Sequence, residues 1–251
     1  MDEPAIYEKE KAMNAPEVSV VIPCLNEERT IGTCVKKCME AFRQDAIDGE
    51  VLVIDNGSSD ATSDVAGRTN ARVVLHTIRG YGSALMRGIT DSRGQYIIMA
   101  DGDDTYNFSD IRVFLARLRS GADLVMGSRY KGTIEPDAMP WLHRRIGTPI
   151  LTAILNALFS TSITDINCGI RGFSKVAVEK MRLERPGMEF AAEMIIKAAA
   201  LGLRIEEIPV CYRASVHGRK PHVRTFRDGW RHLRFMLVSF PQYGMKRKGL
   251  R

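Results

Sequence analysis

Apolar and polar positions follow two rhythms along this chain, and the switches between them mark its elements. Residues 17–22 form a short apolar, β-branched run stopped by Pro23, the pattern of a buried strand. Asn26 then offers a helix N-cap, with Glu27 and Glu28 in the first turn, where the helix dipole favours acids. Ile31, Val35, Cys38 and Phe42 recur at helical spacing after it. The same order repeats: a strand at 51–54 ending at Asp55, then a helix from Asp60 to 68; a strand at 72–75, then a Gly-rich turn and a helix at 83–91. A strand at 96–100 ends at Asp101, ahead of a helix at 109–119 and a strand at 123–126. Strands alternating with helices predict an α/β fold, its sheet mostly parallel and buried on both faces.

Beyond Gly127 the rhythm loosens. Residues 140–160 and the Ala-rich 189–201 read as helices, and 204–211 as a short strand. Phe226, Trp230, Leu233, Leu237 and Phe240 then recur three and four apart, a one-sided apolar stripe with Arg227, Arg231, His232 and Arg234 on the other positions.

Composition adds size, compartment and partner. The 251 residues are 45% hydrophobic and 26% charged, enough to bury a core without staples. Residues 1–16 read as a mobile lead-in, 17–212 as the α/β domain and 213–251 as a basic amphipathic segment. Five cysteines in an odd, unpaired set, and a lead-in without the apolar core of a signal peptide, point to reduced thiols in the cytosol. Cys34 and Cys38 sit one helical turn apart but lack a second Cys or His pair, so they read as core thiols. The net charge of +6 is uneven: 213–251 hold eleven Lys or Arg against Asp228 alone, a surplus of ten, which leaves the first 212 residues at −4. A basic tail on an acidic body suggests an anionic partner: membrane surface, phosphate or nucleic acid. No run of 18 apolar residues exists to span a membrane by itself.

In open α/β sheets ligands bind at the carboxyl ends of the strands, and the unusual residues collect there. Residues 23–27 follow the first strand, 55–58 the second, and Asp101-Gly102-Asp103-Asp104 the fourth. Three carboxylates this close raise one another's pKa unless a cation neutralises them, and their oxygens suit Mg²⁺ or Mn²⁺. The segment 79–85 (RGYGSAL) follows a strand and opens a helix, yet Leu85 stands where a dinucleotide fingerprint needs its third glycine. Close helix packing and donor contact both remain open for it.

Segments 18–28 (VSVVIPCLNEE), 53–60 (VIDNGSSD) and 101–106 (DGDDTY) resemble family 2 glycosyltransferases of the GT-A fold. Segments 127–129 (GSR), 165–171 (DINCGIR), 188–193 (MEFAAE) and 224–234 (RTFRDGWRHLR) are similar to the branch of dolichyl-phosphate mannose synthases and other polyprenyl-phosphate glycosyltransferases. The resemblance implies a nucleotide-sugar side at 17–130 and an acceptor side at 131–212. It implies that Pro23, Asn26, Glu27 and Asp55 bind the donor nucleoside, and that Asp101 and Asp103 are the DxD pair, Asp103 the direct metal ligand. It implies that Arg129 meets phosphate and that Arg171, Arg213, Arg219 and Lys220 line the acceptor phosphate path. Relatives of this branch continue into transmembrane helices; the polar 246–248 run here points instead to peripheral attachment at the cytoplasmic membrane face, or to a separate membrane-protein partner.

The acceptor divides two readings. A hydroxyl needs a general base, for which Glu189 and Glu193 are candidates. A lipid phosphate, with a second pKa of about 6, is already an anion and needs cations to hold it. The basic stretch 213–234 favours polyprenyl phosphate, and the apolar stripe reads as an interfacial helix. The alternative within the fold is transfer to a hydroxyl of a polysaccharide or glycolipid. A nucleic-acid module is disfavoured by the acidic crevice, and a non-catalytic sugar-nucleotide binder by retention of both DxD carboxylates.

Overall fold

Seven strands, β1 (Val18–Cys24), β2 (Gly49–Asp55), β3 (Arg72–Leu75), β4 (Tyr96–Met99), β5 (Leu124–Ile134), β6 (Arg171–Ser174) and β7 (Ile205–Tyr212), form one sheet in the order β3-β2-β1-β4-β6-β5-β7. The computed structural model describes residues 15–215 and 225–244. The helices are α1 (Ile31–Gln44), α2 (Thr62–Gly67), α3 (Tyr81–Asp91), α4 (Ile111–Arg119), α5 (Thr148–Phe159), α6 (Lys175–Met181), α7 (Phe190–Ala200) and α8 (Thr225–Ser239). Every ladder is parallel except those of β6, which runs antiparallel to both β4 and β5.

Strand periodicity explains how both faces are filled. Val20, Ile22, Val51 and Val53 point into one apolar layer with Ile31, Val35 and Phe114 from α1 and α4. The alternate residues Val21, Leu52 and Ile54 point into the other, against Leu85, Leu155, Phe190 and Ile195 from α3, α5 and α7. Fully burying such a side chain is worth about 1.5–3 kcal/mol, so a one-residue slip of any central strand would empty both layers. The strand order reverses between β1 and β4, which opens a crevice at their carboxyl ends.

The structure departs from the sequence reading in four places. Asn26 is not a helix cap: it has φ 58°, and α1 starts five residues later at Ile31. Strand β5 runs to Ile134 rather than 126, because it pairs with β7 through Ser128 and, after an irregularity, again at Thr133 and Ile134. Strand β6 and helix α6 are additional to the expected elements; β6 has four residues, two of them Arg171 and Gly172, and no alternation in its sequence. The helix expected at 140–160 is present, but His143–Gly147 is a π turn. Pro149 cannot donate into that turn, and the Tyr130 hydroxyl donates to the Arg144 carbonyl at 2.7 Å instead.

The C-terminal stripe also splits. Leu233 and Phe240 pack on the core beside buried Met236, whereas Trp230 and Leu237 face outward. The side chain of Phe226, and residues 1–14, Arg219 and Lys220, lie outside the described residues.

Candidate active site

The loops that end β1, β2 and β3 are sewn to one another by side chains. The Asn26 side-chain carbonyl accepts from the Ser59 N–H at 2.8 Å, and the Asn26 N–H donates to the Ser58 hydroxyl at 2.9 Å. The left-handed backbone of Asn26, which asparagine tolerates, is what turns both groups toward the second loop. The Glu27 N–H donates to Thr62 Oγ1 at 2.7 Å. Asp55 is buried and accepts from the N–H groups of Gly57 and Ser58 at 3.1 and 2.8 Å and from the Ser63 hydroxyl. Asn56 carries the seam onward, donating to the carbonyls of His76 and Ile78 and accepting from the Gly80 N–H at 2.8 Å. Pro23 closes the rim, half-buried and in register with Ile54. Asn26, Glu27 and Asp55 thus shape a preorganised rim, with Asp55 committed to its own loop.

The acidic loop closes the crevice from the β4 side, and its three carboxylates have three different settings. Asp104 is paired to Lys37 of α1, with both of its oxygens 2.7 Å from Nζ. Asp103 accepts from the N–H and hydroxyl of Thr105 at 3.2 and 2.6 Å. Asp101 accepts from the Tyr81 hydroxyl at 3.1 Å and lies so close to Gly169 that a Cβ there would sit 2.1 Å from its carboxylate. Burial, and then the Asp101 charge, push the Tyr81 phenol well above its ordinary value, so it stays a donor. Thr30 anchors the loop by donating to the Gly102 carbonyl at 2.7 Å. Lys37 therefore offsets the Asp104 charge, and the oxygens of Asp101 and Asp103 are donors of the kind that suit Mg²⁺ or Mn²⁺. Among the described residues no cluster of three metal-ligating side chains exists. Such an ion would take these carboxylates and complete its shell with waters and phosphate oxygens.

The Gly-rich turn at 79–85 resolves to close packing. A Cβ on Gly80 would meet the Pro186 carbonyl oxygen at 2.3 Å, and one on Gly82 the Arg185 carbonyl oxygen at 2.1 Å. The 184–187 backbone lies directly on this turn, and the Ser83 N–H donates to the Pro186 carbonyl at 3.0 Å. Glu193 holds that backbone in place. It is buried, accepts from the N–H groups of Glu184 and Arg185, and pairs with Lys197 at 2.8 Å. The carboxylate expected as a candidate base is thus buried and engaged by two backbone N–H groups and a lysine. Glu189 is paired to Arg231 of α8 at 2.9 Å.

Arg171 is enclosed in the same way. It is fully buried, and its guanidinium donates to the carbonyls of Ile166, Cys168 and Ala191 at 2.7, 3.0 and 2.7 Å. It knots β6 to α7 beneath the site and has no surface to offer an acceptor.

Arg129 is nearly buried and bidentate with Asp165, at 2.6 and 2.8 Å. Burial alone would lower its pKa; the adjoining carboxylate outweighs this, and the guanidinium is held charged. It lies 5.1 Å from the centre of the Tyr212 ring, which in turn meets Tyr106 of the acidic loop at 5.3 Å. Burial pushes the Tyr212 phenol up to about 12, with Arg129 opposing and Asp103 and Asp101 adding. One ring thus feels the cationic and the acidic side together.

Next to Arg129, a cleft of about 350 Å³ is lined by Tyr130, Arg144, Arg145 and Pro149. Neither Arg144 nor Arg145 is in an ion pair among the described residues. They are the only Lys or Arg within an acid-free run from 138 to 164, and no motif or spacing marks them. Arg213 reaches the same side: its N–H donates to the Thr105 carbonyl at 2.9 Å. A larger cleft of about 580 Å³, between the end of α1 and α4, is away from the strand carboxyl ends.

The model of the family described as "Glycosyl transferase family 2" matches residues 19–182, from the first strand through the acidic loop to the end of α6. The chain belongs to glycosyl transferase family 2. It is 43% identical over 232 residues to the low-salt glycan biosynthesis hexosyltransferase Agl6 of Haloferax volcanii, a match covering 91% of this chain and 55% of that protein. The chain therefore spans about half the length of that relative. A dolichyl-phosphate hexose transferase of the same organism is 30% identical over 200 residues, covering 78% of this chain and 83% of that protein. Among solved structures, glucosyl-3-phosphoglycerate synthase from Mycobacterium tuberculosis shares the fold, with a TM-score of 0.72 at 22% identity over 94% of this chain and 84% of that one. The same enzyme has been crystallised with Mn²⁺, UDP and glucosyl-3-phosphoglycerate. The GT-A architecture expected from the sequence is thereby established for this family member.

Proposed function

We propose that this chain transfers a hexose from a nucleotide-sugar donor to a polyprenyl phosphate at the cytoplasmic face of a membrane, with inversion at the anomeric carbon. One observation carries the reading. The acidic loop at the β1/β4 switch point faces, across Tyr212, a cationic cleft in which Arg144 and Arg145 have no carboxylate partner among the described residues. The names of the two Haloferax relatives, a hexosyltransferase and a dolichyl-phosphate hexose transferase, support the same chemistry.

In this reading residues 17–130 hold the donor and 131–212 the acceptor. The rim formed by Pro23, Asn26, Glu27 and Asp55 receives the nucleoside. Asp101 and Asp103 would hold Mg²⁺ or Mn²⁺, which when bound supplies positive charge against a departing diphosphate. Tyr81 and Thr105 fix the two carboxylates, and Lys37 keeps Asp104 out of the set. Arg144, Arg145 and Arg213, with Arg129 behind them, hold the acceptor phosphate. A phosphate oxygen attacks the anomeric carbon as the bond from that carbon to the diphosphate oxygen breaks, and the nucleoside diphosphate leaves. No proton need be removed, because a phosphate monoester is already ionised near neutrality, its second pKa being about 6. This agrees with the locked position of Glu193.

The test is to incubate the protein with polyprenyl phosphate and a panel of radiolabelled nucleotide sugars, with divalent metal or with chelator. Metal-dependent label in the organic phase from one donor is expected. Label from no donor, under conditions where one is bound, overturns the proposal.

A further inference from the structure

The continuous helix 141–159, comprising the π turn and α5, turns an apolar face away from the sheet. Leu142, Ile146 and Ile150 are 40%, 39% and 53% exposed on it, and Trp141 beside them is 67% exposed. Helix α8 and its final turn pack alongside, with Phe159 meeting Phe240 edge to face at 6.2 Å. That neighbour turns Trp230, Leu237 and Val238 outward. Single exposed apolar residues are ordinary on a protein surface, but two adjacent helices that both present them mark an interface.

Charge decides the partner. From 138 to 164 there is no Asp or Glu, and Arg144 and Arg145 are the only Lys or Arg. From 229 to 251 there is again no acid, against six Lys or Arg. A second copy of the same face would set cation against cation, a repulsive match. An anionic lipid surface offers the complement: apolar depth beneath negative headgroups. Among the described residues no helix is long and apolar enough to cross a membrane.

We infer that the outward face of helix 141–159, with the adjoining face of α8, is the surface by which this chain docks on an anionic bilayer. The cleft of Arg144 and Arg145 then opens at headgroup depth. The inference deepens the lipid-acceptor reading by naming the docking surface, but its test uses neither donor nor acceptor, so the two can fail separately.

The chain's two tryptophans, Trp141 and Trp230, both lie on this surface. Intrinsic fluorescence therefore reports on it directly. The whole protein is mixed with acceptor-free vesicles of mostly anionic or purely zwitterionic phospholipid, and flotation is measured in parallel. A blue shift and co-flotation with anionic vesicles are expected, and Trp230→Phe retains the shift through Trp141. Ile146→Glu with Ile150→Glu should weaken vesicle binding by about tenfold or more, with an unchanged thermal melt because both sites are exposed. Val176→Glu, an exposed apolar position on α6 (60%), should bind as the parent does. Three outcomes overturn the inference: no shift with anionic vesicles, full binding by the Ile146/Ile150 variant, or a change in that variant's oligomeric state alone, which would assign the face to a second copy.

Discussion

Two carboxylates, Asp103 and Glu193, stand out equally in the sequence and have opposite surroundings in the structure. Asp103 sits in a loop at the switch point, half-exposed, and accepts from the N–H and hydroxyl of Thr105. Glu193 is buried in a helix, paired to Lys197 and bonded to two backbone N–H groups. The same contrast separates the halves of the molecule. The rim proposed to receive the donor is a seam of hydrogen bonds between loops, whereas the cleft proposed for the acceptor holds Arg144 and Arg145 beside an exposed apolar face. A preorganised rim suits a soluble, rigid nucleotide; open cations and exposed apolar surface suit a ligand that arrives in a membrane.

The comparison breaks most readily at Asp103. Asp103→Asn should lower turnover by about a thousandfold, near 4 kcal/mol of lost charge stabilisation, with an unchanged melting temperature; steady-state rates and calorimetry read both. Glu193→Gln should do the reverse. It leaves Lys197 buried without its carboxylate, a loss of about 3 kcal/mol of stability, while turnover per folded molecule is retained. A Glu193→Gln chain that melts normally but is inactive would restore the catalytic-base reading and a hydroxyl acceptor.

Smaller effects sharpen the boundary between the halves. Replacing Arg144 and Arg145 together with Ala removes about 2 kcal/mol of charge-assisted bonding to phosphate. The acceptor KM should rise about thirtyfold while donor binding by calorimetry is unchanged. Tyr81→Phe removes one hydrogen bond to Asp101, worth about 1 kcal/mol. A fivefold fall in kcat is expected, together with weaker metal binding in a titration with Mn²⁺ alone.

The contrast also shows what a sequence can reveal. The parallel strands β1 to β4 were readable to within two residues, because strands buried on both faces are unbroken apolar runs such as 51–54. The acidic loop was readable because three carboxylates directly after such a run repel one another unless a cation sits among them. The partners of Arg171 and Glu193 were not, since spacing shows which face of an element a residue occupies but not the carbonyls or lysine that meet it. Strand β6 was hidden by its length, and Asn26 by a cap preference that its left-handed backbone overrides. Arg144 and Arg145 were visible only as an absence of acids around them. The Gly-rich turn needed the distant 184–187 backbone before its small residues made sense.

The most direct measurement offers the protein two lipids that differ only at the head, polyprenyl phosphate and the free polyprenol, with a donor it binds and divalent metal present. The account predicts that label enters polyprenyl phosphate alone, with a rate that follows ionisation of the phosphate near pH 6. Equal labelling of the alcohol would contradict it, and would call for a general base to take the hydroxyl proton.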